Sequence, residues 1–325
     1  MTIAIVGAGI AGAACANQLM QQKMPVAVFD KGRAAGGRMS SKRTCEGYAD
    51  LGAQYFTART ESFAAQCKQW QEQQVITCWQ PRIAVFDDVL QASPDAIKRY
   101  IGLPSMQKPV QQLLQSVDVK TQCLVDTVQY ADGHWQLYSN NIWLGNFSRL
   151  VLAVPQQQAM ALLQHASAEL PNWSELFDTP ALLPCWAVNI TLSALTTTPY
   201  DAVFVRKHTA VSWVARQNSK LGRGDQERWL VHFSPVFSKA HLNASEDFIA
   251  EVARLELQQI LAQPLQITSS LCHRWRYAQQ SDEYTPPGPV WLPELNLGLC
   301  GDWLAGGRVE NAWLSGKQLA EVMQL

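Results

Sequence analysis

This 325-residue chain has no surplus of charge: 26 Lys and Arg against 27 Asp and Glu leave a formal −1, and no basic run exceeds two residues. Holding a phosphate backbone needs concentrated positive charge, so nucleic acid is not an expected partner. No apolar stretch reaches the ~18 residues of a helical membrane span, so no membrane association is expected. The eight cysteines, at 15, 45, 67, 78, 123, 185, 272 and 300, include no two closer than eleven positions. That spacing offers no CxxC, no zinc pattern and no compact disulfide framework. Reduced, mostly buried thiols in a cytoplasmic protein are the expectation. The six histidines are equally scattered, and no metal site is expected. The apolar opening from Ile3 to Ala16 lacks a positive n-region and is broken by three glycines, so it reads as fold rather than signal peptide.

What is present points to a large globular protein. Hydrophobic residues make up 47% of the chain and charged ones 16%, enough apolar surface for a substantial core. One core usually stops growing beyond roughly 250–300 residues, so two domains, possibly interleaved along the chain, are anticipated.

The first thirty residues are the most informative. Ile3-Ala4-Ile5-Val6 is a continuous apolar run, the pattern of a parallel strand buried on both faces. Gly7-x-Gly9-x-x-Gly12 follows, then helix formers to Gln22, then a second strand Val26–Phe29 closed by Asp30. This is a βαβ unit with the glycine spacing of dinucleotide binding. Gly7 permits the tight turn, Gly9 lets backbone approach a pyrophosphate, and Gly12 lets the helix pack on the strand. The helix start at Ile10 and Ala11 offers free N–H groups to the anion. Asp30, 18 residues after Gly12, would accept from ribose hydroxyls. The motif suits NAD and FAD equally.

Further along, residues 61–75 read as a helix and 76–100 contain short strands. A helix follows Pro109, and four strand-like runs lie between 119 and 154, the last (Leu150–Val154) fully apolar. A helix is expected over Gln156–Gln164. Residues 180–235 alternate apolar and polar at Trp186–Leu192, Ala202–Val205, Val211–Ala215 and Trp229–Phe233, the period of antiparallel strands with one covered face. Ser245 caps a helix carrying Phe248, Ile249, Val252, Leu255 and Leu261.

The segment Asp30-Lys31-Gly32-Arg33-Ala34-Ala35-Gly36-Gly37-Arg38-Met39 resembles the glycine-doublet signature of flavin amine oxidases, and Asp50-Leu51-Gly52-Ala53-Gln54-Tyr55 resembles a segment of the renalase-like proteins within that superfamily. Gly102-Leu103-Pro104-Ser105-Met106 looks like the link after which the cofactor domain resumes. Gly301-Asp302-Trp303 and the following Val309-Glu310-Asn311-Ala312 are similar to the superfamily's last FAD motif, and His273-Arg274-Trp275-Arg276-Tyr277 to another renalase-like segment. The resemblance implies non-covalent FAD held by Gly7, Gly9, Ile10, Ala11, Gly12, Asp30, Lys31, Gly36, Gly37, Arg38, Met39, Gly52, Ala53, Gln54, Val125, Gly301, Asp302, Val309, Glu310 and Ala312. Gln54 fits a flavin or substrate contact and equally a satisfied turn amide. Gln54, Tyr55, Trp213, His232, Trp275 and Tyr277 are candidates for the substrate pocket, with no catalytic base identified.

The implied fold is α/β: a Rossmann-like FAD-binding domain from 1–60, 100–170 and 285–325, interleaved with an α+β substrate domain from 61–99 and 171–284 that contains an antiparallel sheet. The implied activity is hydride transfer from a small reduced substrate to flavin N5, with O2 reoxidising the flavin to give H2O2. Isomeric dihydronicotinamide forms of NAD(P) are the substrate the resemblance suggests. A flavin amine oxidase, an NAD(P)-dependent dehydrogenase and a non-enzymatic FAD-binding protein are the alternatives.

Overall fold

The computed structural model describes residues 2–45, 47–166, 179–206, 210–281 and 284–324. Two large sheets organise them. The first has six strands in the order Val290–Leu292, Leu297–Leu299, Arg149–Leu152, Ile3–Val6, Val26–Phe29, Asp118–Lys120. All its pairs are parallel except that between the first two. Ile3–Val6 is buried at every position, as its unbroken apolar run requires of a strand covered on both faces. From this strand the chain moves outward one way to Val26–Phe29, and later the other way to Arg149–Leu152. The topological switch point therefore lies at the carboxyl ends of Ile3–Val6 and Arg149–Leu152, where α/β sheets hold ligands.

The helix Ile10–Gln21 covers one face and packs against the helix Val309–Val322. Their approach is close because Gly316 has no side chain: a Cβ there would lie 2.0 Å from the Ala11 carbonyl oxygen. The second of these helices buries Ala312, Trp313, Gly316, Leu319 and Ala320, and Met323 just past its end.

The second sheet has seven strands, ordered Ile267–Gln279, Leu183–Leu192, Arg228–Phe233, Val211–Arg216, Ala202–Val205, Ile83–Asp87, Val89–Ala92. It is antiparallel as its alternation indicated, apart from one parallel pair between Ala202–Val205 and Ile83–Asp87. Its outer face, with Trp186, Val188, Ile190, Val214, Val231 and Phe233, forms a core with Ile249, Ala253, Leu257 and Ile260 of the helix Glu246–Leu261. Ser245 caps that helix by accepting from the Phe248 N–H at 3.3 Å.

Phe63, Cys67 and Trp70 of the helix Glu61–Glu72 share a core with Ile10, Ala11 and Trp313, and Ile76–Trp79 pairs with Arg99–Gly102. The chain joins the second sheet only at Ile83. Several strands were not anticipated, two of them for a visible reason. Ile142–Phe147 carries exposed Ile142 and Trp143, and Ile267–Gln279 is a 13-residue edge strand whose serines and half-buried residues blur any period of two.

Candidate cofactor and substrate site

At the switch point the glycine loop takes the form its spacing demands. Gly7 has φ +107°, and a Cβ there would lie 2.5 Å from the Ala153 carbonyl oxygen. A Cβ on Gly12 would lie 2.0 Å from the Gly7 oxygen, so helix and strand touch through their backbones. Gly9 differs: an added Cβ would meet nothing within 4 Å. Gly9 precedes the helix without any side-chain cap, leaving the N–H groups at its start available to an anion. Gly37 closes in from the other side, its Cβ position 3.1 Å from the Gly9 Cα. Two glycine backbones thus face each other beside open space, a cradle that suits a pyrophosphate.

Asp30 holds this loop in shape. Its carboxylate accepts from the Ala8 and Gly32 N–H groups, each at 2.6 Å, and the Gly36 N–H donates to the Ala8 carbonyl at 2.9 Å. Ribose binding, if Asp30 provides it, must use the remaining lone pairs. Lys31 is exposed beside it.

Two distant parts of the chain meet over the cradle. Arg38 donates to both carboxylate oxygens of Asp302, 264 positions on, with Nη1 2.9 Å from Oδ2; the same Nη1 donates to the Ala278 carbonyl at 3.0 Å. Asp302 is 6% exposed and directly follows Gly301, whose N–H donates to Ser315 Oγ at 3.0 Å. The helix from Val309 begins just beyond, preceded by Gly306, Gly307 and Arg308, all at positive φ and with no side-chain cap. Its amino end therefore also offers free N–H groups to negative charge.

Several residues expected at the cofactor have side chains engaged elsewhere. Met39 is buried in the core. The Glu310 carboxylate accepts from the Arg59 N–H and, at 2.7 Å, from the Thr60 N–H, anchoring the helix Glu61–Glu72. Gln54 is the satisfied turn amide: its nitrogen donates to the Asp50 and Gly52 carbonyls, and its oxygen accepts from Gln217 and Lys220, both at 2.8 Å. These three can offer FAD only their backbones. Ile10, Ala11, Ala312 and Val125 are likewise buried, and Val125 packs with Ala27 and Phe29 at the end of the second strand. Ala53 is held by its N–H donating to the Arg38 carbonyl at 2.9 Å, and Gly52 presses so closely on that carbonyl that a Cβ would sit 2.0 Å from it.

The reason Asp50–Tyr55 keeps its path is a buried polar cluster the sequence did not reveal. The Asp50 carboxylate receives Lys220 at 3.3 Å, the Arg223 guanidinium at 2.9 and 3.0 Å, and Ser41 Oγ at 2.6 Å. Burial pushes this carboxyl up, but Lys220 and Arg223 outweigh it and hold the group below its ordinary value. Burial brings the Lys220 ammonium down to about 8. Arg223 also donates to the Gly102 and Pro104 carbonyls, both at 2.7 Å, fixing the Gly102–Met106 link to the same center. Lys220 and Arg223 lie 170 and 173 positions from Asp50, with no motif to join them.

The pocket candidates converge on the inner face of the second sheet. The Trp275 indole donates to the Leu51 carbonyl at 2.9 Å, and His232 Nε2 meets the same oxygen at 3.0 Å. Burial lowers the His232 imidazole to about 4, so it is neutral and reaches that carbonyl as an N–H donor. Tyr55 lies between Trp79 and Trp213, with ring centroids 6.0 and 5.9 Å away. Tyr277 stands apart from this group, against the core around Leu182, Trp303 and Leu304.

Comparison with known proteins bears on the fold that carries this arrangement. Residues 5–69 match the model of the NAD(P)-binding Rossmann-like domain. The chain is 21% identical to renalase of Mus musculus over 321 residues, covering 92% of this chain and 91% of that protein. A candidate protoporphyrinogen oxidase from Exiguobacterium sp. 255-15 superposes with a TM-score of 0.82 at 10% identity, covering 99% of this chain and 98% of the other. Cyclohexylamine oxidase from Brevibacterium oxydans IH-35A gives 0.76 at 13% identity, with the same coverage. The chain is therefore similar to renalase along nearly its whole length and shares its overall fold with these two oxidases.

Proposed function

We propose that this protein is an FAD-dependent oxidase that takes a hydride from a small reduced substrate, an isomeric dihydronicotinamide of NAD(P) being the form favored. The observation that carries the cofactor assignment is the glycine cradle closed by Arg38 and Asp302 beside the open face of Gly9. When bound, FAD supplies a two-electron acceptor at N5 and is reoxidised by O2 with release of H2O2.

The chain's own residues supply position and field. Gly7, Gly9 and Gly12 with the N–H groups at Ile10 and Ala11 hold the pyrophosphate, and Asp30 orders the loop. Arg38 brings positive charge to the cradle, and Asp302 fixes its orientation. The amino end of the helix Val309–Val322 stabilises negative charge that develops nearby during reduction. The Asp50–Lys220–Arg223 cluster and the two donors to the Leu51 carbonyl fix the segment Gly52–Tyr55 against that center. No side chain is required as a base, because a dihydropyridine ring loses a hydride without first losing a proton.

In this reading residues 1–60, 100–170 and 285–325 form the FAD domain and the second sheet the substrate domain, with 61–79 packed on the cofactor side. The cysteines, all reduced thiols, suit a reducing cytoplasm. Anaerobic mixing of the yellow holoprotein with dihydronicotinamide isomers tests the proposal: rapid flavin bleaching followed by H2O2 on readmitting air is expected. Bleaching by alkylamines alone would make it an amine oxidase instead, and a flavin that no reductant in either class bleaches would leave a binding protein.

A further inference from the structure

Residues paired across neighboring strands project from the same face, so one row on the inner face of the second sheet reads His273, Ala187, His232, Trp213, Phe204. Four rings stand in that row with Ala187 as the gap. His232 is spent on the Leu51 carbonyl. Trp213 is not spent on anything. Its side chain is 8% exposed, packs edge-on to Phe204 at 4.6 Å and leans on Tyr55 at 5.9 Å. Its buried indole N–H nevertheless has no acceptor among the described residues.

Other tryptophans show how unusual this is. Trp79 donates to Ser219, Trp135 to the Leu295 carbonyl, Trp186 to His241, Trp229 to Glu227, Trp275 to Leu51 and Trp303 to Val154. Leaving a buried donor unmade is costly, and native proteins keep few such groups. The orphan sits against Tyr55, one residue beyond the Gly52–Gln54 segment that is bonded to the Arg38 loop.

We infer that the Trp213 indole N–H is a specificity-determining donor that binds a carbonyl-type oxygen, such as a ring carboxamide, on a flat substrate lying along this aromatic row. The inference rests on the substrate reading above and sharpens it. A carboxamide-bearing dihydropyridine supplies the missing acceptor, and its ring matches the surrounding aromatic surfaces. An alkylammonium carries donors only and leaves the N–H unpaired, so the same residue disfavors simple amines.

The test uses the flavin-loaded protein and its Trp213→Phe variant, which keeps a ring and removes the donor. With a carboxamide dihydronicotinamide, the variant is expected to retain flavin and reduce it at a similar limiting rate. Its half-saturating concentration should rise about tenfold, the worth of one buried hydrogen bond. Replacing the substrate's amide oxygen by sulfur, a poor acceptor, should cost the native protein a similar factor and the variant less than about twofold. Half-saturation unchanged in Trp213→Phe, or an equal penalty with amide and thioamide, would overturn the inference while leaving the proposed function standing. A native flavin that no dihydronicotinamide bleaches would defeat both.

Discussion

Gly9 and Gly12 belong to one motif but answer to different constraints, and substitution should separate them. Gly9 has φ −79° and open space at its Cβ position, so Gly9→Val is expected to fold yet purify colorless, its side chain occupying the pyrophosphate's place. Gly12→Ala drives a methyl into the Gly7 carbonyl and should lower stability itself by roughly 2 kcal/mol or more. Flavin absorbance and urea unfolding of the two variants distinguish the outcomes; full flavin content in Gly9→Val would remove the cradle from consideration. His232 makes a second residue-scale case. Its folded value of about 4 lies below the ordinary 6.5, so the unfolded chain takes up a proton that the folded protein refuses. Stability therefore falls as pH drops from 6.5 toward 4, with about 2 kcal/mol from this ring once its partial exposure is discounted. His232→Gln can still donate to Leu51 but does not titrate, and its urea midpoints should depend less steeply on pH across that window.

Between elements, the decisive joint is Arg38 with Asp302. Asp302→Ala leaves the guanidinium without its carboxylate and frees the turn ahead of the helix Val309–Val322. Weaker FAD retention is expected, by about tenfold to a hundredfold in dissociation constant. Fluorescence titration of the apoprotein measures it, and unchanged affinity would take Asp302 out of the cofactor's surroundings. Elements of this kind were legible wherever one local rule governs them. The unbroken run at Ile3–Val6 declared a doubly covered strand, the glycines declared the turn, and the Ser245 cap declared its helix. The edge strand Ile267–Gln279 was not legible because half-burial erases the alternation that marks a strand. The Asp50–Lys220–Arg223 cluster stayed hidden for a different reason: a buried ion pair is made by tertiary approach, and no spacing rule encodes it. Resemblance supplied the Leu51–Tyr55 segment, but only geometry showed that the Gln54 amide is consumed within the protein.

At the scale of the whole molecule, FAD is expected to act as a fastener between segments that no covalent bond joins closely. A ligand that binds only the folded state at a hundredfold excess over its dissociation constant adds about 2.7 kcal/mol. In a chain of this size that corresponds to a rise of about 5 °C in melting temperature, which differential scanning fluorimetry of apo and reconstituted protein would read. A flat response to FAD would contradict the assigned cradle. The same connectivity bears on how the protein is made. A ribosome delivers the glycine loop and Arg38 early, but their partner Asp302 emerges 264 positions later, after the entire second sheet. The nascent βαβ unit must wait with its binding edge unfinished, so cofactor capture belongs to the period after synthesis has passed Asp302, and a cell short of flavin would accumulate the complete chain rather than stalled fragments.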